Sequence, residues 1–205
     1  MLSRKARWAL VGAGFALGCV PTARIVSRRK GVDIDSVGTG NPGAANVRRA
    51  LGARSGALVL AIDAAKGATP VLVGRALDVD DGTLGALAMA PIMGHITVVG
   101  GKGAGAALGA VAATDPAALA VVSPLMAVSA YPPLHTSSIL VIYLVLPLVR
   151  RRLGRSRAAV AWTGALMGLL IGARLWGTGA GRLRNRRVLW ERLVYDREPP
   201  DESGR

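Results

Sequence analysis

The sequence predicts an all-α fold: a polytopic integral membrane helix bundle with about seven transmembrane helices and Gly-rich loops on the cytosolic side. Two observations predict it. The 205-residue chain is 51% hydrophobic yet carries a formal net charge of +14, and its charges are clustered between long apolar runs. Aromatic residues make up only 4%, whereas glycine occurs 27 times. Small residues of this kind let helices pack closely in lipid.

Seven apolar segments follow one another along the chain. A helix needs about 20 apolar residues to cross a bilayer, and roughly 17 at the least, so the three marginal segments leave about five or six spans as alternatives. The segments are Trp8–Val26, Gly56–Leu77, Thr83–Val99, Gly103–Ala113, Ala117–Ala130, Ser137–Val149 and Ala158–Trp176. The fourth, fifth and sixth are the marginal ones.

The distribution of charge predicts an orientation and a domain organisation. Placing Met1 outside puts the basic loop of residues 27–54, the Gly100–Gly103 loop and the basic C-terminus inside, as the positive-inside tendency requires. The same arrangement puts the arginine run of residues 150–157 outside, against that tendency. We expect residues 1–181 to form one transmembrane domain and residues 182–205 to form a basic C-terminal tail. Arginines beside the helices attract anionic headgroups, so no nucleic-acid partner is predicted.

The N-terminus has two interpretations. Residues 1–19 fit a signal sequence that ends at a lipidated Cys19. The apolar run continues to Val26 and further spans follow, which favours an uncleaved first helix. The single cysteine allows no internal disulfide.

A glycine-rich stretch after the first apolar segment has the spacing of a dinucleotide-binding loop. Gly38, Gly40 and Gly43 are followed by Asp63, twenty residues further on. However, Pro42 removes a backbone donor from the loop, and the apolar run continues through Asp63 as a helix does. We therefore predict a membrane-surface loop that binds a phosphate through backbone N–H groups and arginine side chains, and not a Rossmann fold.

Two lysines stand out among the basic residues. Of 26 basic residues only four are lysine, and only Lys66 and Lys102 follow Lys30. Lys66 lies three residues after Asp63, so the two side chains share a helix face and form an intramembrane pair. Its role is either functional or simply to let the helix insert. Lys102, within "GGKG", offers a compact ammonium group that suits a phosphate oxygen.

Together these motifs resemble the bacterial acyl-phosphate:glycerol-3-phosphate acyltransferases, the PlsY family. The resemblance begins at "GCVPTARIVSRRKGVDID" and covers about the first 110 residues. "GTGNPGAANVRRALG" is similar to the family motif GSGNxGATNxxRxLG, and "DAAKG" to DxxKG. "GH" at residues 94–95 and "GGKG" at residues 100–103 are similar to the two ends of GHxxPxFxxFKGGKG.

The resemblance implies a function. Members of the family transfer an acyl group from acyl phosphate to the 1-hydroxyl of glycerol 3-phosphate, forming lysophosphatidic acid for phospholipid synthesis. It implies a multi-pass protein of the bacterial plasma membrane with no cofactor and no metal. Acyl phosphate, glycerol 3-phosphate and membrane lipids are the implied partners, while the oligomeric state stays open and a monomer is compatible with the sequence.

The resemblance also implies site residues. The catalytic set is Lys102, Arg49, Asn46 and His95. The substrate and phosphate-binding set is Thr39, Gly40, Asn41, Gly43, Gly100, Gly101 and Gly103. The acceptor hydroxyl loses its proton either to a substrate phosphate or to His95, and a capping or packing histidine is the competing interpretation.

Several positions depart from the family pattern. Only "ITVV" separates His95 from Gly100, and Asp35 stands where the family's DIR segment has a basic residue. "SAYPPLHTSS", residues 129–138, does not match the family's Arg–Ser motif, and in "RRVLWERLVYDRE" Arg186 and Leu189 stand where His and Asn are expected. The alternative function is therefore a divergent paralogue that binds phosphorylated substrates without the standard turnover or with another acceptor. An unrelated membrane scaffold or transporter is the third hypothesis.

Overall fold

A computed structural model describes residues 2–128 and 135–175 of the chain. Every regular element in these residues is a helix, which rules out the Rossmann alternative for this part of the chain. The elements are α1 (Arg4–Gly18), α2 (Thr22–Arg28), α3 (Ala44–Leu51), α4 (Ala53–Ala76), α5 (Asp81–Gly94), a π-helix (His95–Val99), α6 (Ala104–Thr114), α7 (Pro116–Val128), α8 (His135–Arg152) and α9 (Arg157–Leu175).

The helices run between two ends of a bundle. One end, here called the loop end, holds α2, α3 and the glycine-rich loops before α3 and α6. The other, the distal end, holds residues 77–81, 115 and 150–157. Contacts between elements define both: Lys30 donates to Ser55 Oγ at 2.8 Å at the loop end, and Arg7 pairs with Asp80 at 2.8 Å at the distal end.

Within the described residues, each predicted apolar segment falls on a helix or a pair of adjoining helices, and the predicted all-α membrane architecture is confirmed. Three stretches in the described residues are long and apolar enough to cross a membrane: Arg4–Arg28, Ala53–Ala76 and Asp81–Val99. The described residues also contain shorter apolar helices, at Ala104–Thr114, Pro116–Leu125 and Arg157–Gly172. The total of about seven spans therefore stays a prediction.

The first apolar segment differs from the continuous helix of residues 8–26 that the sequence predicts. It is broken at Cys19–Pro21, between α1 and α2. Pro21 has no N–H to donate and disfavours helical geometry at the residue before it. A side chain added at Gly18 would lie 2.0 Å from the Pro91 carbonyl oxygen of α5. The end of α1 is therefore held directly against the α5 backbone.

The packing of α4 against α6 depends on glycine. A Cβ at Gly67 would lie 1.8 Å from the carbonyl oxygen of Ala106, and one at Gly109 would lie 1.8 Å from that of Ala64. The two backbones therefore touch, which is the close approach that small residues permit between membrane helices. This contact places the start of α6 beside the middle of α4, below the loop-end surface.

Larger side chains form the core on the other side of α5. Leu146, Leu166 and Leu170 of α8 and α9 pack with Ile92 of α5, and each is at most 2% exposed. The core thus supports α5 from the side opposite α1. It holds the C-terminal end of α5 in place where the π-helix begins.

A buried ionic network holds the distal end together. The Asp115 carboxylate accepts hydrogen bonds from two nitrogens of Arg155 at 2.8 Å and from Arg150 Nε at 3.3 Å. Arg150 also donates to Thr163 Oγ1 at 2.6 Å and lies over the Trp162 ring, 4.6 Å from its centroid. Asp115 therefore balances part of the charge of the arginine run that the sequence places on the unfavourable side.

Candidate active site

The first glycine-rich loop, residues 36–43, lies between α2 and α3. Gly38 and Gly40 have φ angles of +61° and +65°, a region that glycine occupies without the strain of a side chain. Gly43 is the N-cap of α3 and has no side chain to bond the first turn. The loop therefore leads directly into a helix N-terminus at the loop end.

Asn46 holds this loop in shape. Its buried side chain donates from Nδ2 to the carbonyls of Ile34 and Val37, at 3.1 and 2.9 Å, and its Oδ1 accepts from Thr39 N–H at 3.1 Å. A Cβ at Gly38 would lie 2.2 Å from that oxygen. Both amide hydrogens are thus committed to the loop backbone. The geometry favours a positioning role for Asn46, whereas the resemblance implies direct contact with phosphate.

Two of the implied phosphate-binding side chains are exposed at this loop. Thr39 and Arg49 are exposed, and Arg49 has no hydrogen-bond or ion-pair partner among the described residues. Asn41 is half-buried, and its backbone N–H donates to Thr39 Oγ1 at 3.4 Å. The Thr39 hydroxyl on the loop and the Arg49 guanidinium on α3 are therefore both accessible at the loop end.

The second glycine-rich loop, Gly100–Gly103, follows the π-helix. Gly100 and Gly103 adopt left-handed conformations with φ of +78° and +72°, and Gly103 is the N-cap of α6 without a side-chain cap. The first N–H groups of a helix have no partner within the helix and carry partial positive charge. With the half-buried Lys102, this turn has the composition of an anion site. The short "ITVV" stretch is accommodated as a π-helix, a form common at functional sites.

His95 lies under this second loop. It is 4% exposed, and a Cβ at Gly101 would lie 2.2 Å from its Nε2. Its Nδ1 is buried and has no hydrogen-bond partner within residues 2–128 and 135–175. The charged side chains close enough to interact electrostatically with its ring are Asp63, Lys66 and Arg24. Gly101 is thus required for the histidine to fit beside the loop.

Asp63 and Lys66 lie 2.9 Å apart, as their three-residue spacing predicts, and both side chains are 4% exposed. Lys66 Nζ also donates to the Val20 carbonyl at 2.7 Å and to Thr22 Oγ1. Val20 lies in the break between α1 and α2, where backbone groups lack helical partners. A charged donor that satisfies such a carbonyl makes an irregular backbone tolerable at membrane depth. The pair therefore supports the break next to the two loops.

Arg24, which the sequence analysis did not select, connects the two loops. Its Nε donates to Asp35 Oδ2 at 2.6 Å, and its Nη1 donates to the Val99 carbonyl at 2.8 Å. Asp35 precedes the first glycine-rich loop and Val99 precedes the second. The unusual acidic residue at position 35 was the one sequence signal that pointed to a nearby basic partner.

The site thus combines two glycine-rich loops, a buried histidine and a buried ion pair. No group of three or more His, Cys, Asp or Glu residues that could hold a metal occurs in the described part of the chain. Fixed dipoles and positive charge at two neighbouring points suit the positioning of two phosphorylated molecules. The motif-like segments at residues 129–134 and 182–205, including Arg186, Leu189 and the basic tail, lie outside the described residues.

Comparison with known sequences connects this geometry to a family. The family model described as "Glycerol-3-phosphate acyltransferase" matches residues 8–178. The glycerol-3-phosphate acyltransferase of Rubrobacter xylanophilus is 44% identical over 112 residues, 52% of this chain and 56% of that protein. The Aquifex aeolicus enzyme is 39% identical over 113 residues, 52% of this chain and 59% of that protein. The chain thus spans little more than half the length of these curated relatives.

Two crystal structures extend the similarity across the bundle. Both are of PlsY, an integral membrane glycerol 3-phosphate acyltransferase, in a glycerol 3-phosphate form and a lysophosphatidic acid form. Their TM-scores against this chain are 0.77 and 0.76, with 26% identity over 87% of this chain and 92% of theirs. The similarity therefore includes helices beyond the first 110 residues that carry the motifs.

Proposed function

Since the chain belongs to the glycerol-3-phosphate acyltransferase family, we propose that it transfers an acyl group from acyl phosphate to the 1-hydroxyl of glycerol 3-phosphate. The products are lysophosphatidic acid and inorganic phosphate, for phospholipid synthesis. The observation that carries the proposal is the proximity of two uncapped, glycine-rich helix N-termini, which Arg24 links through Asp35 and Val99. Each loop serves one phosphate group.

The reaction needs little chemistry from the protein. The C1 hydroxyl oxygen of glycerol 3-phosphate attacks the acyl carbonyl carbon, the bond between that carbon and the phosphate oxygen breaks, and phosphate leaves with the electron pair. The hydroxyl proton passes to a phosphate oxygen. Because phosphate is already a good leaving group, positioning and charge stabilisation supply much of the rate.

The two loops divide the substrates between them. Thr39, Asn41 and Arg49, with the backbone at Gly40 and Gly43, hold one phosphate. Lys102 and the backbone of Gly100, Gly101 and Gly103 hold the other and stabilise the negative charge that develops there. Asn46 acts behind the first loop by fixing its backbone, which the hydrogen bonds to Ile34 and Val37 support.

His95 is the alternative acceptor for the hydroxyl proton. Its buried Nδ1, which has no hydrogen-bond partner among the described residues, supports a role in the site, while the close fit against Gly101 supports a packing role. A His95→Asn variant separates them. A lower turnover that no longer depends on pH supports His95 as the base. A lower melting temperature with unchanged turnover supports a packing role.

The primary test is an assay of the purified protein in detergent with acyl phosphate and labelled glycerol 3-phosphate. Wild-type protein should release phosphate and form labelled lysophosphatidic acid. Lys102→Ala and Arg49→Ala should each lower turnover by about 10²-fold, the usual loss when one charge-stabilising donor is removed. Arg54→Ala is the matched control, because Arg54 is also an exposed arginine near α3 and lies outside the proposed site. No phosphate release by the wild-type protein would contradict the proposal.

A second function is favoured by the departures from the family pattern, above all Asp35 in place of a basic residue. A divergent paralogue would bind phosphorylated substrates without this turnover, or would use another acceptor. Its signature is glycerol 3-phosphate binding that Arg49→Ala abolishes, in a wild-type protein that releases no phosphate. Phosphate release with a different acceptor, and none with glycerol 3-phosphate, identifies altered specificity.

The proposed setting is the bacterial plasma membrane, with residues 1–181 as one domain, the loop end in the cytosol and lipids around a bundle that is compatible with a monomer. Exposed arginines at positions 28, 29, 48 and 49 support this orientation. In a Cys19→Ser background, Ser36→Cys should be labelled only from the cytosolic side. Leu153→Cys, at the distal end, should be labelled from outside. The reverse pattern would contradict the orientation.

A further inference from the structure

Arg24 makes contacts that reach beyond its own helix. It lies on α2, with 28% of its side chain exposed, and its partner Asp35 is 37% exposed. The same guanidinium bonds Asp35 through Nε and the carbonyl of Val99 through Nη1. Val99 lies 75 residues further along the chain and directly precedes Gly100. One planar group therefore joins two segments that have no connection in sequence.

Each partner of Arg24 lies directly beside a glycine-rich loop. A Cβ at Gly40 would lie 3.1 Å from the Asp35 carbonyl oxygen, so the first loop packs on the backbone of Asp35. The neighbouring Ile34 carbonyl accepts from Asn46 at 3.1 Å. On the other side, Val99 ends the π-helix and the Gly101 N–H returns to the His95 carbonyl at 3.3 Å. A displacement of either partner thus moves the loop attached to it.

We propose that Arg24 is a positioning residue that sets the separation of the two glycine-rich loops, and so of the two phosphate groups during acyl transfer. The inference rests on the proposed function, because it takes each loop to hold one substrate. Arginine suits this role, since its fixed fork makes two directed hydrogen bonds at once, whereas lysine offers a single point charge. A misplacement of about 1 Å between reacting groups can lower a rate by about 10²-fold.

The proposal separates binding from turnover. In Arg24→Gln each loop keeps its own internal bonds, so affinities for glycerol 3-phosphate and for inorganic phosphate should change less than about threefold. Turnover with both substrates should fall by at least about tenfold. The turnover of Arg24→Lys should lie between the turnover of Arg24→Gln and that of wild type. The turnover of Asp35→Asn should resemble that of Arg24→Gln. Arg7→Gln is the matched control, because it breaks an exposed arginine–aspartate pair of the same kind at the distal end.

A distance measurement tests the coupling without activity. Spin labels at Ser36→Cys and Val98→Cys, both exposed, report the separation of the loops in a Cys19→Ser background. Arg24→Gln should broaden or shift this distance, and Arg7→Gln should leave it unchanged.

Unchanged turnover in Arg24→Gln, or an unchanged label distance, would overturn the proposal. So would an Arg24→Gln variant in which the melting temperature and the affinities for glycerol 3-phosphate and inorganic phosphate all fall, because that result would mark a purely structural residue. Wild-type protein that transfers no acyl group would defeat the proposed function instead. The label distance would then still decide whether Arg24 couples the loops.

Discussion

The described part of the chain contains two buried ion clusters with different surroundings. At the loop end, Lys66 bonds Asp63 and then turns to the backbone, donating to the Val20 carbonyl in the break after α1. At the distal end, Arg150 bonds Asp115 and then turns to side chains, Thr163 and Trp162, on a regular helix. The two clusters thus have different roles. The Asp63–Lys66 cluster supports the irregular backbone beside the candidate active site, and the Asp115 cluster holds the helix ends together at the distal end.

The largest effect is expected from Lys66→Met. It leaves Asp63 buried without its cation and removes the donor to Val20, so unfolding free energy should fall by about 3–5 kcal/mol. Acyl transfer should fall as well, because the broken backbone beside the loops loses its support. Thermal unfolding in detergent and the phosphate-release assay measure the two effects.

The double variant Asp63→Asn, Lys66→Met is the control for charge. It removes both members of the pair, so most of the stability should return, as neutral replacements of buried pairs often show. Turnover should stay low, since the donor to the Val20 carbonyl is still missing. Full recovery of turnover would mean that the pair only allows the helix to insert.

Asp115→Asn should lower stability but leave turnover almost unchanged. It leaves Arg150 buried with a weaker acceptor, and unfolding free energy should fall by on the order of 3 kcal/mol. Arg155, which is 42% exposed, can turn towards water and limits the loss. Turnover per folded molecule should stay within about twofold of wild type, because the cluster is far from the loops and effects at distant sites are independent. A selective loss of turnover would show that the two ends are coupled.

Gly109→Ala tests the close approach that places α6 beside α4. The new Cβ would lie 1.8 Å from the Ala64 carbonyl oxygen, so the helices must move apart, at a cost of about 1–3 kcal/mol. Turnover should fall too, because the second glycine-rich loop moves with α6. Gly164→Ala is the matched control, since nothing lies within 4 Å of the added Cβ and alanine is the better helix former. Equal stability of the two variants would contradict this packing.

The smallest effect concerns the exposed Asp80 at the start of α5. Hydrogen bonds from Thr83, side chain first and then N–H, with a further contribution from Arg7, lower the pKa of Asp80 from 3.8 to about 2. A carboxyl group whose pKa is lowered in the folded state stabilises that state at pH values above its unfolded-state pKa. This contribution is lost as the pH falls from about 4 towards 2. The melting temperature should therefore fall less steeply at acidic pH in Asp80→Asn than in wild type. The same acidic pH dependence in both proteins would contradict a role for this cap.

Much of the fold was predictable because it is encoded locally. Apolar runs predicted the helices α4 to α9 to within a few residues at most ends, and the three-residue spacing predicted the contact of Asp63 with Lys66. The site was predictable only in part. The roles that the motifs imply for Thr39, Arg49 and Lys102 stay predictions. No motif indicated that the amide hydrogens of Asn46 are bonded to the loop backbone.

The membrane class, the positions of the glycine-rich loops and the pairing of Asp63 with Lys66 could all be inferred from the amino-acid sequence. Hydropathy, glycine spacing and helical spacing are properties of neighbouring residues, and no partner is needed to recognise them. The folded chain was needed to show that Lys66 reaches Val20, that Arg24 joins Asp35 to Val99, and that Asp115 balances the distal arginines. These contacts join residues 46, 75 and 40 positions apart, and their geometry arises only when the helices pack.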